Sequence, residues 1–153
     1  MIIIGNGGHA EVVRDVLQRM DRIFDNSYCF IAVGDNAARK REVEAHPHLV
    51  YPVLTDPSAI VSRSARIGAG TVIMAGVVVQ AYARIGKHCI LNSSCSVDHD
   101  CVIKDFAHIA PGAHLCGDVV VGEGALVGVG VGIAPGASIP PWSLVRASKL
   151  DIA

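Results

Sequence analysis

Asp98, His99 and Asp100 set one imidazole between two carboxylates, a grouping suited to moving a proton. An unperturbed histidine pKa of about 6.5 leaves most of the ring neutral near pH 7, ready to accept a proton. A neighbouring carboxylate holds the tautomer and stabilises the imidazolium. Asp98 and Asp100 are both candidates, because side chains of adjacent residues in extended backbone diverge. A second group lies near the amino terminus, where Gly5-Asn6-Gly7-Gly8-His9-Ala10 separates the apolar run Met1 to Ile4 from a helical pattern over 10–20. A glycine-rich turn between strand and helix exposes backbone N–H groups that can hold a phosphate; it serves equally as a tight turn with no ligand. A second strand, Tyr28 to Val33, leads into a helix that Asp35 or Asn36 can cap. In that helix Arg39, Lys40 and Arg41 can face a diphosphate or form a solvated face.

The scaffold is set by a repeat. From Val61 to Leu150 the chain runs in fifteen hexads, and the first residue of each is Ile, Leu or Val. With those types at about three residues in ten, chance agreement is roughly one in 10^8. The fifth residues are nearly all small, as in Ala65, Thr71, Cys89, Cys95, Cys101 and Ala107, and Lys149 breaks the rule where the repeat frays. A helix gives apolar steps of three and four and a flat sheet gives steps of two, so a period of six needs short strands joined by turns. The first and fifth residues then face inward, the sixth faces outward, and the corner falls at the third and fourth. Pro111-Gly112 and Pro135-Gly136 occupy those corner positions. Three walls per coil of eighteen residues make a triangular prism, roughly 24 Å tall at strand spacing. In this frame His99 and Asp100 project from a prism edge, His108 lies on an outward face, and Gly117 stacks one coil above His99. Without a side chain at Gly117, a backbone N–H can approach a ligand closely. His88 and His114 read as surface residues. Cys89, Cys95 and Cys101 face inward from three successive walls as small hydrophobes rather than as a metal site.

Composition narrows the classes. Thirteen Lys and Arg against fourteen Asp and Glu provide no basic field for nucleic acid. The amino-terminal apolar run is too short for a signal peptide or a membrane span. Five cysteines without CxxC pairs fit reduced thiols. A cytoplasmic protein is expected, with one domain over 1–53 and a second over 54–153.

Three segments together, GNGGHA, FIAVGDNAARKR and VDHDCVIKDFAHIAPGAHLCGDV, resemble the bacterial sugar-nucleotide N-acetyltransferases that modify 4-amino-4,6-dideoxyhexoses. The resemblance covers nearly the whole chain. It implies a left-handed parallel β-helix of hexapeptide repeats that binds acetyl-CoA between subunits of a homotrimer. It also implies a preceding small, abbreviated Rossmann-like α/β domain that holds the nucleotide sugar. By the same resemblance His99 is the general base, Asp100 orients it, and His108 with the backbone of Gly117 meets the thioester end of acetyl-CoA. Gly7, Gly8, His9, Asp35 and Asn36 should contact the nucleotide-linked amino sugar. No metal is expected, and the amine should attack directly, without an acyl-enzyme. The chain departs from the family in two places: only about seven residues join the first helix to Tyr28, and the closing coil after Ile139 is reduced. Trp142, in that region, reads as a packing residue or a stacking partner for adenine. Other functions compatible with the repeat are a non-catalytic trimer, an O-acetyltransferase and a γ-class carbonic anhydrase-like protein.

Overall fold

Each two-residue strand is made of the outward sixth residue of one hexad and the inward first residue of the next, and is followed by a turn. This is seen in a computed structural model, which describes residues 1–20, 24–25 and 27–146. Strands 18 residues apart pair in parallel and in register, as Ser96 opposite His114 and Val97 opposite Leu115. They form sheets of six, five and five strands. The first wall holds Leu54–Thr55, Val72–Ile73, Ile90–Leu91, His108–Ile109, Leu126–Val127 and Leu144–Val145. The second runs from Ile60–Val61 to Gly132–Ile133 and the third from Arg66–Ile67 to Ser138–Ile139. The result is a left-handed parallel β-helix. The final strand at Leu144–Val145 carries the array past Ile139, whereas the fraying at Lys149 lies outside the described residues.

The lumen is filled mainly by aliphatic side chains. First-position residues from Ile73 to Ile139 are buried, as are Cys89, Cys95 and Cys101 at fifth positions. Each fully buried Val, Leu or Ile contributes about 1.5–3 kcal/mol, so stacking identical coils stabilises a shape that no single coil can hold.

The corners follow a backbone rule of their own. Every fourth-position residue from Gly70 to Trp142 has positive φ, including the non-glycine residues Tyr82, His88, Ser94, Asp100, Phe106, Asp118 and Trp142. Such a conformation costs a side-chain-bearing residue roughly 1–2 kcal/mol. It is held because the corner N–H reaches an acceptor one coil below: the carbonyl of the third-position residue in most, as Asp100 N to Ala81 O (3.1 Å) and Asp118 N to His99 O (3.1 Å), and the Ser64 hydroxyl for Tyr82 (3.1 Å).

Ahead of the prism lies a small α/β layer. Strand β1 (Ile2–Ile4) pairs in parallel with β2 (Cys29–Ile31), and helices α1 (Gly8–Arg19) and α2 (Asn36–Ala45) follow them. Ala10, Val13 and Val16 are the buried face of α1. β1 is less enclosed than its apolar run suggests, with Ile2 45% exposed. Gly5 sits where β1 must pass β2: its φ is +130° and a Cβ there would meet Ala32 O at 2.4 Å, so only glycine fits.

The layer docks on the first wall and on the corner between the third and first walls. The agent is Arg39, 1% exposed. Its Nε donates to His88 O (2.8 Å) and its Nη2 to Phe106 O (2.7 Å) and Asn36 Oδ1 (2.8 Å). Its Nη1 donates to Val33 O (3.0 Å) and Gly34 O (3.2 Å). One guanidinium thus joins the layer to two successive coils. The expectation that Arg39 faces a diphosphate or solvent is overturned. So is the surface reading of His88, which is 6% exposed, stacked on Phe106 (5.4 Å) and edge-on to Tyr51 (4.8 Å). Lys40 continues the seam, bonding Glu123 (2.7 Å) with its ammonium over the rings of Phe106 and Trp142. Trp142 also lies against Gly124, where a Cβ would meet the ring at 2.3 Å; it is packed here, and still 47% exposed.

Candidate active site

His99 stands on the edge between the second and third walls, opposite the wall that the α/β layer covers. Its Nδ1 lies 2.9 Å from Asp100 Oδ2, with side chains 55% and 51% exposed. The positive φ of Asp100 turns the backbone enough to bring adjacent side chains together, which extended geometry would not allow. Asp98 is engaged elsewhere, its Oδ1 accepting from the His99 N–H at 2.8 Å. The choice of carboxylate left open by sequence is therefore decided in favour of Asp100. With Nδ1–H donated to Asp100, Nε2 carries the free lone pair.

Gly117 lies directly above. A Cβ on it would stand 2.6 Å from His99 Cε1 and 2.7 Å from Nε2. The missing side chain is thus the space in which the imidazole rests. The hydrogen bond to Asp100, followed by the charges of Asp98, Asp100 and Asp118, raises the His99 pKa above its ordinary value. Beside this edge a hollow of about 200 Å³ is lined by Gln80, Ser96, Asp98, His114 and the exposed thiol of Cys116, among others. His114 is exposed, as its sequence position suggests, with Nδ1 2.8 Å from Ser96 Oγ.

His108 belongs to the opposite side. It projects from the first wall towards the α/β layer, and Asn92 Nδ2 donates to its Nε2 at 3.0 Å. Desolvation first, then the charge of Arg39, lowers its pKa to about 4. His9 in α1 is lowered to about 4 by the same two causes, and the electrostatic interaction between His9 and His108 places them as neighbours. His9 Nε2 is buried without a hydrogen-bond partner. His9 lines a hollow of about 320 Å³ together with Gly7, Gly8, Ala32 and Gly34. Gly7 is the N-cap of α1 and supplies no side chain to its first turn. Asp35 and Asn36 are partly committed to the fold. Asp35 Oδ1 accepts from Ala38 N (2.7 Å) as the cap of α2, and Asn36 Nδ2 donates to Gly124 O (3.0 Å) and Ala125 O (3.3 Å). Both residues still border a shallow groove with Leu126 and Trp142.

The structure therefore sorts the nine candidate residues into two groups. His99, Asp100 and Gly117 share one edge; Gly7, Gly8, His9, His108, Asp35 and Asn36 lie on or against the covered wall. Sequence reasoning missed Arg39 as the residue joining the layer to the prism, and the available signal was Phe106 stacked eighteen residues after His88 at a corner.

Burial pushes the Cys89 and Cys95 thiols up to about 12, so neither supplies a nucleophile near neutral pH. Among the described residues no three His, Cys, Asp or Glu side chains are grouped as metal ligands, and no helix is long and apolar enough to cross a membrane.

No protein-family model matches the chain, and no curated protein does. Solved structures do. The N-acetyltransferase PerB from Caulobacter crescentus, in complex with CoA and GDP-perosamine, aligns with a TM-score of 0.86 and 34% identity over 94% of this chain and 84% of that one. The acetyltransferase domain of PglB from Neisseria gonorrhoeae, in complex with acetyl coenzyme A, aligns at 0.75 and 31% over 94% of this chain and 93% of that one. WeeI from Acinetobacter baumannii, at 19% identity and a TM-score of 0.68, shares the fold.

Proposed function

Because this chain belongs to the hexapeptide-repeat sugar N-acetyltransferases, acetyl-CoA-dependent enzymes, we propose that it acetylates the amino group of a nucleotide-linked 4-amino-4,6-dideoxy sugar. Residues 1–53 hold the nucleotide sugar and residues 54–153 bind acetyl-CoA. The observation that carries this reading is His99 itself: an exposed imidazole with Nδ1 tied to Asp100, Nε2 free, and its ring resting on Gly117.

Amide formation needs a neutral amine, a stabilised oxyanion and a proton acceptor. The amine attacks the thioester carbonyl directly, and its proton passes to His99 Nε2. Asp100 stabilises the resulting imidazolium. The backbone at Gly117 meets the thioester oxygen, where developing negative charge gains most from a fixed donor. The C–S bond then breaks, CoA leaves as thiolate, and the imidazolium returns a proton to it. His108, held neutral, meets the thioester end of acetyl-CoA from the other side of the site.

One chain cannot bring its own two groups of residues together, since they lie on opposite sides of a rigid prism. A homotrimer resolves this. Rotation about a threefold axis sets the His99 edge of one subunit against the Gly7-Gly8-His9 turn and His108 of the next. Asp35 and Asn36 then border the sugar nucleotide with the side-chain capacity that the fold leaves unused. Acetyl-CoA and reduced, unpaired thiols both suit the cytoplasm.

The test is CoA release from acetyl-CoA with UDP-, dTDP- and GDP-linked 4-amino sugars as acceptors. Turnover with at least one acceptor and none without is the expected result; inertness with every amino sugar would mark a non-catalytic trimer. A mixture of His99→Ala and Gly8→Trp chains, each inactive alone, should regain activity when co-refolded. Absence of rescue would overturn the site shared between subunits.

A further inference from the structure

Immediately beneath the His99 edge lies a cluster that the acetyl-transfer chemistry does not use. Arg63, Ser64, Ala65, Arg66, Tyr82 and Arg84 line a hollow of about 570 Å³. Arg66 and Arg84 are directly opposite each other in adjacent parallel strands, and Arg63 is at the corner two coils below His99. None of the three guanidinium groups makes a hydrogen bond or ion pair with any described residue, in contrast to Arg14, Arg19 and Arg39. Like charges placed directly opposite repel and destabilise a sheet. A repulsive pair with no internal counter-ion is therefore a feature that an external anion would relieve.

The surroundings indicate how that anion is attached. Tyr82, 65% exposed, stands on the corner one coil below Asp100. Above the arginines, on the same edge, Asp98, Asp100 and Asp118 surround His99. The edge thus changes sign within one or two coil rises, each about 4.8 Å. A sugar nucleotide bearing a 4-amino group has the complementary shape: an ammonium at one end of its pyranose ring and a diphosphate at the other. Arginine suits the second end, because its planar fork binds phosphate oxygens in pairs.

We propose that Arg63, Arg66 and Arg84, together with the Tyr82 hydroxyl, form a diphosphate site that shares the acceptor with residues 1–53 of the neighbouring subunit, while the acidic residues above draw its amine to His99. The identity of the acceptor rests on the function proposed above; the anion site itself does not. Acetyl-CoA also carries a diphosphate, but its reacting thioester lies a long pantetheine arm away. The single-ring spacing on this edge matches the sugar nucleotide.

Two measurements test the assignment. Calorimetric titration with inorganic pyrophosphate should show salt-sensitive binding to the wild-type chain that weakens at least tenfold in the Arg66→Ala/Arg84→Ala double variant. In steady-state assays Arg84→Ala should raise KM for the amino sugar nucleotide about tenfold or more, with kcat within about threefold and KM for acetyl-CoA unchanged. Arg84→Lys should recover part of the loss by retaining charge without the fork. Equal pyrophosphate binding in wild type and double variant overturns the site. A rise in KM for acetyl-CoA alone overturns its assignment to the acceptor, as does a fall in kcat at constant KM. If the wild type acetylates no amino sugar while pyrophosphate binding still depends on the arginines, the proposed function fails and the anion site stands. These side chains are exposed, so the variants should melt as the wild type does, and circular dichroism checks this.

Discussion

The two histidines on opposite sides of the prism, His99 and His108, have been given opposite properties by one scaffold. His99 stands at an αL corner in water, hydrogen-bonded to a carboxylate, with its pKa raised. His108 stands in a wall under the α/β layer, near a buried guanidinium, with its pKa lowered to about 4. The same side chain is thereby easier to protonate on one side and, near neutral pH, a neutral ring on the other. Hexad position explains part of this, since the corner that carries His99 lies on the edge away from the α/β layer while the wall that carries His108 lies beneath it. Arg39 explains the rest: a buried cation with no ion pair to a carboxylate among the described residues lowers the pKa of His9, His88 and His108 alike, second in each case to desolvation.

Replacing residues on either side should separate the two environments. His99→Ala should reduce kcat by about 10²- to 10⁴-fold with little change in melting temperature, as expected for an exposed base; near-normal turnover would remove it from that role. Arg39→Ala should act in the reverse sense, on stability before chemistry. It leaves the carbonyls of Val33, Gly34, His88 and Phe106 without this donor, at about 1–3 kcal/mol for each one stranded in the interior. Urea unfolding should show a loss of about 3–5 kcal/mol after relaxation and water entry. A loss under 1 kcal/mol would mean that the junction is not held by this residue.

Gly117→Ala is a smaller change in the same direction as the first. Its methyl group would displace the His99 ring, and a misplacement of about 1 Å can cost 10²-fold in rate. A structure of the variant should show the imidazole rotated away from position 117. The mildest test is an acid titration read two ways. His99 must be neutral to accept a proton, so kcat/KM should fall as pH drops through a pKa above 6.5, and Asp100→Asn should move that inflection downward. The folded pKa values of His9, His88 and His108 lie near 4, below the unfolded value of 6.5. The unfolded chain binds protons first, so the stability they contribute is present above pH 6.5 and is lost as pH falls towards 4. Activity should therefore decline before the melting temperature does; the opposite order would contradict the contrast between the two histidines.

The repeat could be read residue by residue because its cause is local. Ile, Leu or Val every sixth residue can be buried only if the chain turns between strands, and hexad position alone puts His99, Asp100 and Gly117 on one edge. The pairing of His99 with Asp100 was not legible in the same way. It depends on positive φ at Asp100, which a non-glycine residue adopts here because the corner N–H reaches Ala81 O in the coil below. His88 and Arg39 were misjudged for a related reason: a lone histidine at a corner and a basic trio in a short helix look solvated until one knows what is packed on them.

By itself, then, the sequence determined the prism, its core and the exposed edge that carries the imidazole, since inward and outward are fixed by a six-residue period in the chain's own neighbourhood. Which of the three walls would be covered was decided only by tertiary structure. The hexads treat all walls alike, and the choice rests on contacts such as Arg39 to His88 O, formed between residues 49 apart in sequence. That long-range docking keeps one set of histidines neutral and leaves the opposite edge exposed.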